Sequence, residues 1–385
     1  MADMQVITES HALADACQRL SEHPYVTIDT EFLRENTFWP QLCLIQIASA
    51  SEALIVDPLA PAIDLAPFYA LMADNSVIKV FHAARQDVEI VWYEADLIPT
   101  PLFDTQVAAM VCGFGDSVSY MNLVKKITGE NIDKAARFTD WRKRPLSEKQ
   151  LTYALADVTH LRAVYQTLAD ELTRTNRADW LSEEMATLTN PQTYLSRPED
   201  AWRRLKMRVK NRRAMAVLME LAAWRERTAQ SDNVPRNRVI KDDALYELAN
   251  QAPRDAETIG NMRGVPDGFH RSARARGALA AIHDGLKRKL DDVPSPRTGR
   301  AMSAESAALL DLLKVLLKAC AAEHRVAPKL IADSDDLERL ALEDEANVPA
   351  LGGCRYQVFG EQALKLKRGE IALSVKDGQV VPVAR

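Results

Sequence analysis

The first half of the chain sets short β-rich runs between amphipathic stretches. Residues 26–32 (VTIDTEF), 42–48 (LCLIQIA) and 53–57 (ALIVD) are rich in β-branched and apolar side chains and are separated by turn residues, so each predicts a strand. A helical stretch follows over 65–73, and 77–81 (VIKVF) predicts a further strand. From Arg85 onward Val88, Val91 and Trp92 fall on one face of a helix. Three adjacent strands followed by strand–helix alternation predict an α/β layer, a mixed sheet flanked by helices. Pro145 and Ser147 open a long helix that runs to about Arg174, with Ser147 and Gln150 in capping-box spacing.

The pattern then changes. Asn190-Pro191 and Ser196-Arg197-Pro198 break the periodicity and predict a linker. Residues 200–290 and 301–345 read as helical, and DDVPSPRTGR (291–300) between them reads as a second linker. VIKDDALYELA (239–249) and LIADSDDLERLA (330–341) form an internal repeat in which Leu245, Leu248 and Ala249 match Leu337, Leu340 and Ala341 at a constant offset of 92. Two copies of one small helical domain explain the match; two unrelated capped amphipathic helices are the alternative. The expected domains are 1–195, 205–290 and 300–385.

Composition narrows the class. At 385 residues, with 47% hydrophobic and 27% charged side chains, the chain has the make-up of ordinary globular protein rather than of a disordered one. No apolar run approaches the ~20 residues of a membrane-spanning helix. MADMQVITES lacks a basic region ahead of an apolar core, so no secretory signal is expected. Cys17, Cys43, Cys112, Cys320 and Cys354 are scattered and odd in number, which argues against a disulfide framework or a structural zinc site and for a reducing cytoplasm. The net charge of -5 hides an asymmetry: residues 1–190 carry -12 and residues 201–300 carry +10. Carboxylates holding metal in one part and cations holding phosphates in another would produce this; a solvated helical surface gives the same count.

Asp29 and Glu31 lie two apart in a predicted strand and so point the same way. Two carboxylates on one face of an apolar strand repel each other unless a cation sits between them, or unless the strand is an edge with a solvated face. Tyr153 and Asp157, four apart on the long helix, share a face amid Leu151, Ala154 and Val158. Asp87 follows the 77–81 strand after a short turn, where a first-turn carboxylate favoured by the helix dipole is the other reading.

Together these residues resemble the DEDD superfamily of 3′→5′ exonucleases and, within it, the ribonuclease D family. The resemblance rests on Asp29-Thr30-Glu31-Phe32, on His82 through Asp87, and on Tyr153-Ala154-Leu155-Ala156-Asp157-Val158. Trp141-Arg142-Lys143-Arg144-Pro145-Leu146 and residues 40–47 (PQLCLIQI) read like the same family. The tyrosine four residues before the last aspartate resembles its tyrosine subgroup. Val234-Pro235-Arg236-Asn237-Arg238-Val239-Ile240 with Asp243-Ala244-Leu245 looks like an HRDC domain, a helical module shared with RecQ-type helicases. The repeat near Leu330 looks like a second, diverged copy, and residues 360–373 also resemble the family's C-terminal region. No Gly-rich phosphate loop is present, which excludes a helicase.

The resemblance implies a ribonuclease H-like exonuclease domain followed by two small all-α HRDC-like domains. It implies a cytoplasmic 3′→5′ exoribonuclease that trims tRNA precursors and other structured RNAs with a free 3′ end, releasing nucleoside 5′-monophosphates, with no membrane and no obligate protein partner. A DNA exonuclease of the same superfamily and a non-catalytic RNA-binding protein are the alternatives. By resemblance Asp29, Glu31, Asp87 and Asp157 would hold two divalent cations, Mg²⁺ or Mn²⁺, with Asp29 bridging them and Asp87 helping to hold the second. Tyr153 would orient the attacking water. Phe38 and Trp39 are candidates to stack on bases, with ordinary packing as the alternative. Arg203, Arg204, Lys206 and Lys210, with Arg208, Arg212 and Arg213, form what reads as a basic helix start and are candidates for phosphate contact. His82 reads as a core or supporting histidine rather than a ligand.

Overall fold

The computed structural model describes residues 6–133, 136–137, 139–206, 208–296 and 302–385. The chain enters through a short strand, β1 (Val6–Ile7), and α1 (Ser10–Ser21), then forms β2 (Tyr25–Leu33), β3 (Gln41–Ala48) and β4 (Ala53–Val56). α2 (Ala66–Ala73), β5 (Ile78–Phe81), α3 (Arg85–Ala95), β6 (Leu102–Asp104), α4 (Thr105–Val111) and α5 (Tyr120–Thr128) follow. The long helix α6 (Glu148–Thr175) and α7 (Ala178–Leu188) close this segment. The six strands lie in the order β1-β4-β3-β2-β5-β6. β3 and β4 pair antiparallel, while β1–β4, β2–β5 and β5–β6 pair parallel, giving the expected mixed sheet. β2 is therefore an interior strand, and β3 beside it is buried from Leu42 to Ala48.

The capping box of α6 is present in full: Ser147 Oγ accepts from the Gln150 amide, and the Gln150 side chain accepts from the Ser147 amide. α6 is anchored to the sheet by Thr27, whose buried hydroxyl donates to the Val158 carbonyl at 2.8 Å.

The chain divides into two compact units. One comprises Met1–Glu31, Cys43–Thr193 and Ala301–Arg385; the other comprises Phe32–Leu42 and Tyr194–Arg300. The second is built round α8 (Arg212–Ser231), apolar on every side from Met215 to Leu218. α9 (Arg236–Val239), α10 (Asp242–Gln251), α11 (Ala256–Gly260) and α12 (Ala273–Lys287) complete it. α12 approaches α8 so closely that a Cβ on Gly285 would stand 2.5 Å from the Val217 backbone. The basic run does not start a helix as its sequence predicts. Residues 198–204 form 3₁₀ turns, Lys206 and Lys210 lie in irregular chain, and only Arg212 and Arg213 reach the first turn of α8. Cations are ill placed at a helix N-terminus. These two donate instead to backbone carbonyls, Arg212 to Val293 and Arg213 to Gly285, Leu286 and Arg288 at the C-terminal end of α12.

The last segment holds α13 (Ala304–His324), α14 (Pro328–Ile331), α15 (Ser334–Leu342), α16 (Gly353–Arg355) and α17 (Glu361–Lys367). Its end departs from the all-helical expectation: β7 (Ile371–Lys376) and β8 (Gln379–Ala384) form an antiparallel hairpin. The repeat is visible in three dimensions. α9–α10 and α14–α15 are each a one-turn helix followed by an Asp-rich helix start, and the matched Leu245/Leu337, Leu248/Leu340 and Ala249/Ala341 are all buried. The last segment packs within the first unit: Arg177 donates to the His324 carbonyl at 2.6 Å, and the Ala327 amide donates to Met110 O at 2.9 Å. Parts of the 291–300 linker lie outside the described residues. Among the described residues no helix is long and apolar enough to cross a membrane.

Candidate active site

The alternation of β2 places Thr27, Asp29 and Glu31 on the face that meets α6. α6 brings Asp157 to the same place, one residue before the carbonyl that Thr27 anchors. The ligand-capable oxygens of Asp29, Glu31 and Asp157 lie within 4.8 Å of one another. Asp87, from the first turn of α3, is not in that group. It is buried and accepts a 2.5 Å hydrogen bond from the Thr30 hydroxyl, yet its charge is felt by both Asp29 and Glu31.

Burial and mutual repulsion dominate the electrostatics. The Asp29 carboxyl is held well above the usual range, first by burial and then by Asp157, Asp87 and Glu31. Burial and the neighbouring Asp157 and Asp87 push Glu31 up to about 8, and burial raises Asp157 and Asp87 to about 7. Arg137, an exposed side chain, opposes this at Glu31 and Asp157. Oxygen-only donors under this strain suit hard divalent cations such as Mg²⁺ or Mn²⁺.

Tyr153, one turn before Asp157, hydrogen-bonds to its carboxylate. Burial and the surrounding carboxylates raise the phenol far above its ordinary value, so it stays protonated and acts as a donor. Its ring packs near Trp141 with centroids 6.1 Å apart. The Trp141–Pro145 turn is locked by Arg144, which makes a bidentate pair with Asp57 at 2.5 and 2.6 Å and donates to the carbonyls of Trp141 and Cys43.

Several contributors escape a reading of the sequence. Asp104, 2% exposed, takes hydrogen bonds from the amides of Ala83, Ala84 and Gln106 at 2.8–3.0 Å and from Val107 at 3.4 Å. It thereby caps α4 and fixes the turn that leads into Asp87's helix, where Ala83 has φ 60°. An Asp-Thr pair between a strand and an apolar helix is a capping signal that would have marked it. Tyr120 donates to the Ala156 carbonyl at 3.1 Å and lies against the His82 ring. Burial lowers the His82 pKa, and its Nδ1 lies 3.0 Å from the Thr105 hydroxyl, consistent with a supporting role.

The remaining candidates divide. Phe38 is 3% exposed in the core of the second unit beneath the Arg236 guanidinium, and Trp39 packs partly buried against that core, so the packing alternative describes both. Arg203 pairs with Asp200 and stacks on Trp202. Arg204 pairs with the buried Glu226, and Lys206 and Lys210 expose their side chains.

Residues 4–173 match the 3′-5′ exonuclease family and residues 214–273 match the HRDC domain. Ribonuclease D of Nitrobacter hamburgensis is 52% identical over 99% of this chain and 100% of its own length. That of Granulibacter bethesdensis is 52% identical over 97% of this chain and 95% of its own. The crystal structure of Escherichia coli RNase D, an exoribonuclease involved in structured RNA processing, superposes with a TM-score of 0.83 at 28% identity, covering 95% of this chain and 99% of that one.

Proposed function

This chain belongs to the ribonuclease D family of 3′→5′ exoribonucleases, and on that premise we propose that it trims the 3′ ends of tRNA precursors and other structured RNAs, releasing nucleoside 5′-monophosphates. The observation that carries the chemistry is the convergence of Asp29, Glu31 and Asp157 oxygens within 4.8 Å, with Asp87 close enough to add its charge. In this reading the carboxylates hold two divalent cations, Mg²⁺ or Mn²⁺. Asp29 would serve both, Glu31 and Asp157 one, and Asp87 the other. When bound, the cations supply an acidified water and stabilise charge on the attacking and leaving oxygens of an in-line displacement.

The chain's own groups do the rest. Tyr153, fixed by Asp157 and by the packing of Trp141, orients the water through a phenol that keeps its proton. Thr30 holds Asp87, and Asp104 holds the turn ahead of it. Arg137 is an exposed cation whose charge opposes the rise at Glu31 and Asp157, and in this reading it would meet the incoming phosphate. The compartment we propose is the cytoplasm.

The test uses end-labelled pre-tRNA and single-stranded DNA, each incubated with the full chain in Mg²⁺, in Mn²⁺ and in chelator. Stepwise shortening of the RNA from its 3′ end, with nucleoside 5′-monophosphates as product and no reaction in chelator, is expected. Faster digestion of DNA would replace the RNA assignment with the DNA exonuclease. Inert RNA in every metal would leave the non-catalytic reading.

A further inference from the structure

The second unit contains an open groove of about 710 Å³ that the metal chemistry does not use. Arg34, Arg204, Arg225, Arg236 and Lys241 line it. The carboxylates in its wall, Glu226 and Asp242, are fewer than its cations, and both are already engaged.

Glu226 is the key to its construction. Its side chain is 1% exposed and accepts from Ser196 Oγ at 2.6 Å, Arg204 Nη2 at 2.8 Å, and Arg236 Nε and Nη2 at 2.5 and 2.6 Å. A buried carboxylate so held fixes two guanidiniums in orientation. Each guanidinium has five N–H donors, so both keep donors beyond those given to Glu226. Arg236 is further seated over the Phe38 ring at 4.6 Å. Arg225, 5% exposed, donates to Asp242 and to the Ile240 carbonyl, while its buried Nε has no partner among the described residues. Lys241 is exposed and makes no ion pair among the described residues.

A merely solvated basic surface lacks these features. Its side chains pair with sequence neighbours, as Arg203 does with Asp200. Here the cations converge onto one concavity from two non-helical positions (Arg34 and Lys241), a 3₁₀ turn and two helices. Planar forks fixed in advance match phosphate oxygens, and the volume falls in the range that takes a nucleotide-sized group rather than a lone ion. We propose that this groove binds nucleotide phosphates, as the backbone of an RNA strand held by the protein. This rests on the exoribonuclease reading for the identity of the strand. The free nucleoside monophosphate carries the same chemistry and is separated from the strand by the experiment.

The full chain is titrated in chelator, where nothing is cleaved, with a fluorescent single-stranded RNA of roughly 12 nucleotides and separately with adenosine 5′-monophosphate, over a range of salt. Lys241→Glu is compared with Lys376→Glu, the same charge change at an exposed hairpin residue outside the groove. The Lys241 side chain makes no capping hydrogen bond at the start of α10, so the fold should survive, as a melting curve checks. Expected is a roughly tenfold loss of RNA affinity for Lys241→Glu, with a salt slope shallower by ~0.7 per lost contact. Lys241→Gln should give a smaller loss in the same direction, and Lys376→Glu should stay within twofold of wild type. Loss confined to RNA supports the strand. Loss confined to the mononucleotide overturns the strand in favour of a nucleotide pocket. Coincidence of Lys241→Glu with Lys376→Glu on both ligands overturns the groove altogether. A protein that cleaves RNA in Mg²⁺ yet shows that coincidence fails only this proposal; one that cleaves no RNA fails the functional reading itself.

Discussion

Asp29 works against the fold that holds it. Its half-buried carboxylate lies near three others, and each raises its cost of ionisation. Asp29→Asn keeps the shape and removes one charge. Turnover should fall by at least ~100-fold, while the metal-free protein should gain about 1 kcal/mol of stability, a cost of function returned to the fold. Assays at saturating metal and thermal melts in chelator check both halves, and substantial residual turnover would remove Asp29 from the ligand set. Tyr153→Phe should lower turnover by about tenfold, less than loss of a ligand, because the carboxylates remain; a wild-type rate would take Tyr153 out of the reaction. Asp29, Glu31, Tyr153 and Asp157 are legible in the sequence because strand alternation and helical i,i+4 spacing fix which side chains share a face. The bond from Thr30 to Asp87 and the reach of Asp104 to the Ala83–Ala84 turn are not. Both depend on how β2, β5 and β6 stand in register, Thr27 beside Val80 and Phe81 beside Asp104, and uniformly apolar buried strands carry no pattern that fixes register.

Elements place the site through their ends. Asp104 accepts four amides across two helix starts. Asp104→Ala should cost about 2–3 kcal/mol and lower turnover as well, since the turn leading to Asp87 loses its anchor. A denaturant midpoint and a rate measured well below it report the two effects separately; a destabilised protein with full turnover would show that the turn holds without Asp104. Arg144→Lys keeps the charge but loses the fork that spans Asp57, Trp141 and Cys43. Reduced turnover with metal affinity retained is expected, because the Trp141 wall beside Tyr153 loosens; unchanged turnover would confine Arg144 to stability. The element pattern was readable where it was long: the helix expected from Ser147 to about Arg174 is α6, and the expected strands match β2 to β5 within about a residue. β1, of two residues, and β6, of three, are too short for any periodicity to register.

At the scale of the molecule the domain expectation changes. A division at 195 and 300 follows the sequence, but residues 301–385 fold in the same unit as the nuclease strands, and Phe32–Leu42 belongs with the basic helices. Breaks in periodicity show where a helical pattern stops; which segments pack together is not written in them. The junction is tight at Gly113, with φ +81°, where a Cβ would meet the Arg325 carbonyl oxygen at 2.5 Å. Gly113→Ala should therefore destabilise the protein by about 1–3 kcal/mol. A chain ended at 300 should melt well below the full chain and expose apolar surface, read by dye binding, because Trp180 loses the core of residues 313–366 that it packs against and Met110 loses the amide of Ala327. An unchanged melt would mean the nuclease segment stands alone.

The discontinuity of the first unit also sets an order in time. During synthesis residues 1–193 leave the ribosome first, yet the segment that completes their unit begins only at 301. At ~5–20 residues per second, that delay of about a hundred residues lasts roughly 5–20 seconds. Over that interval the basic module, lying between the two parts, emerges and can fold before the nuclease is finished. A ribosome halted before the codons for residues 301–385 would thus hold an incomplete nuclease beside the mRNA it is translating.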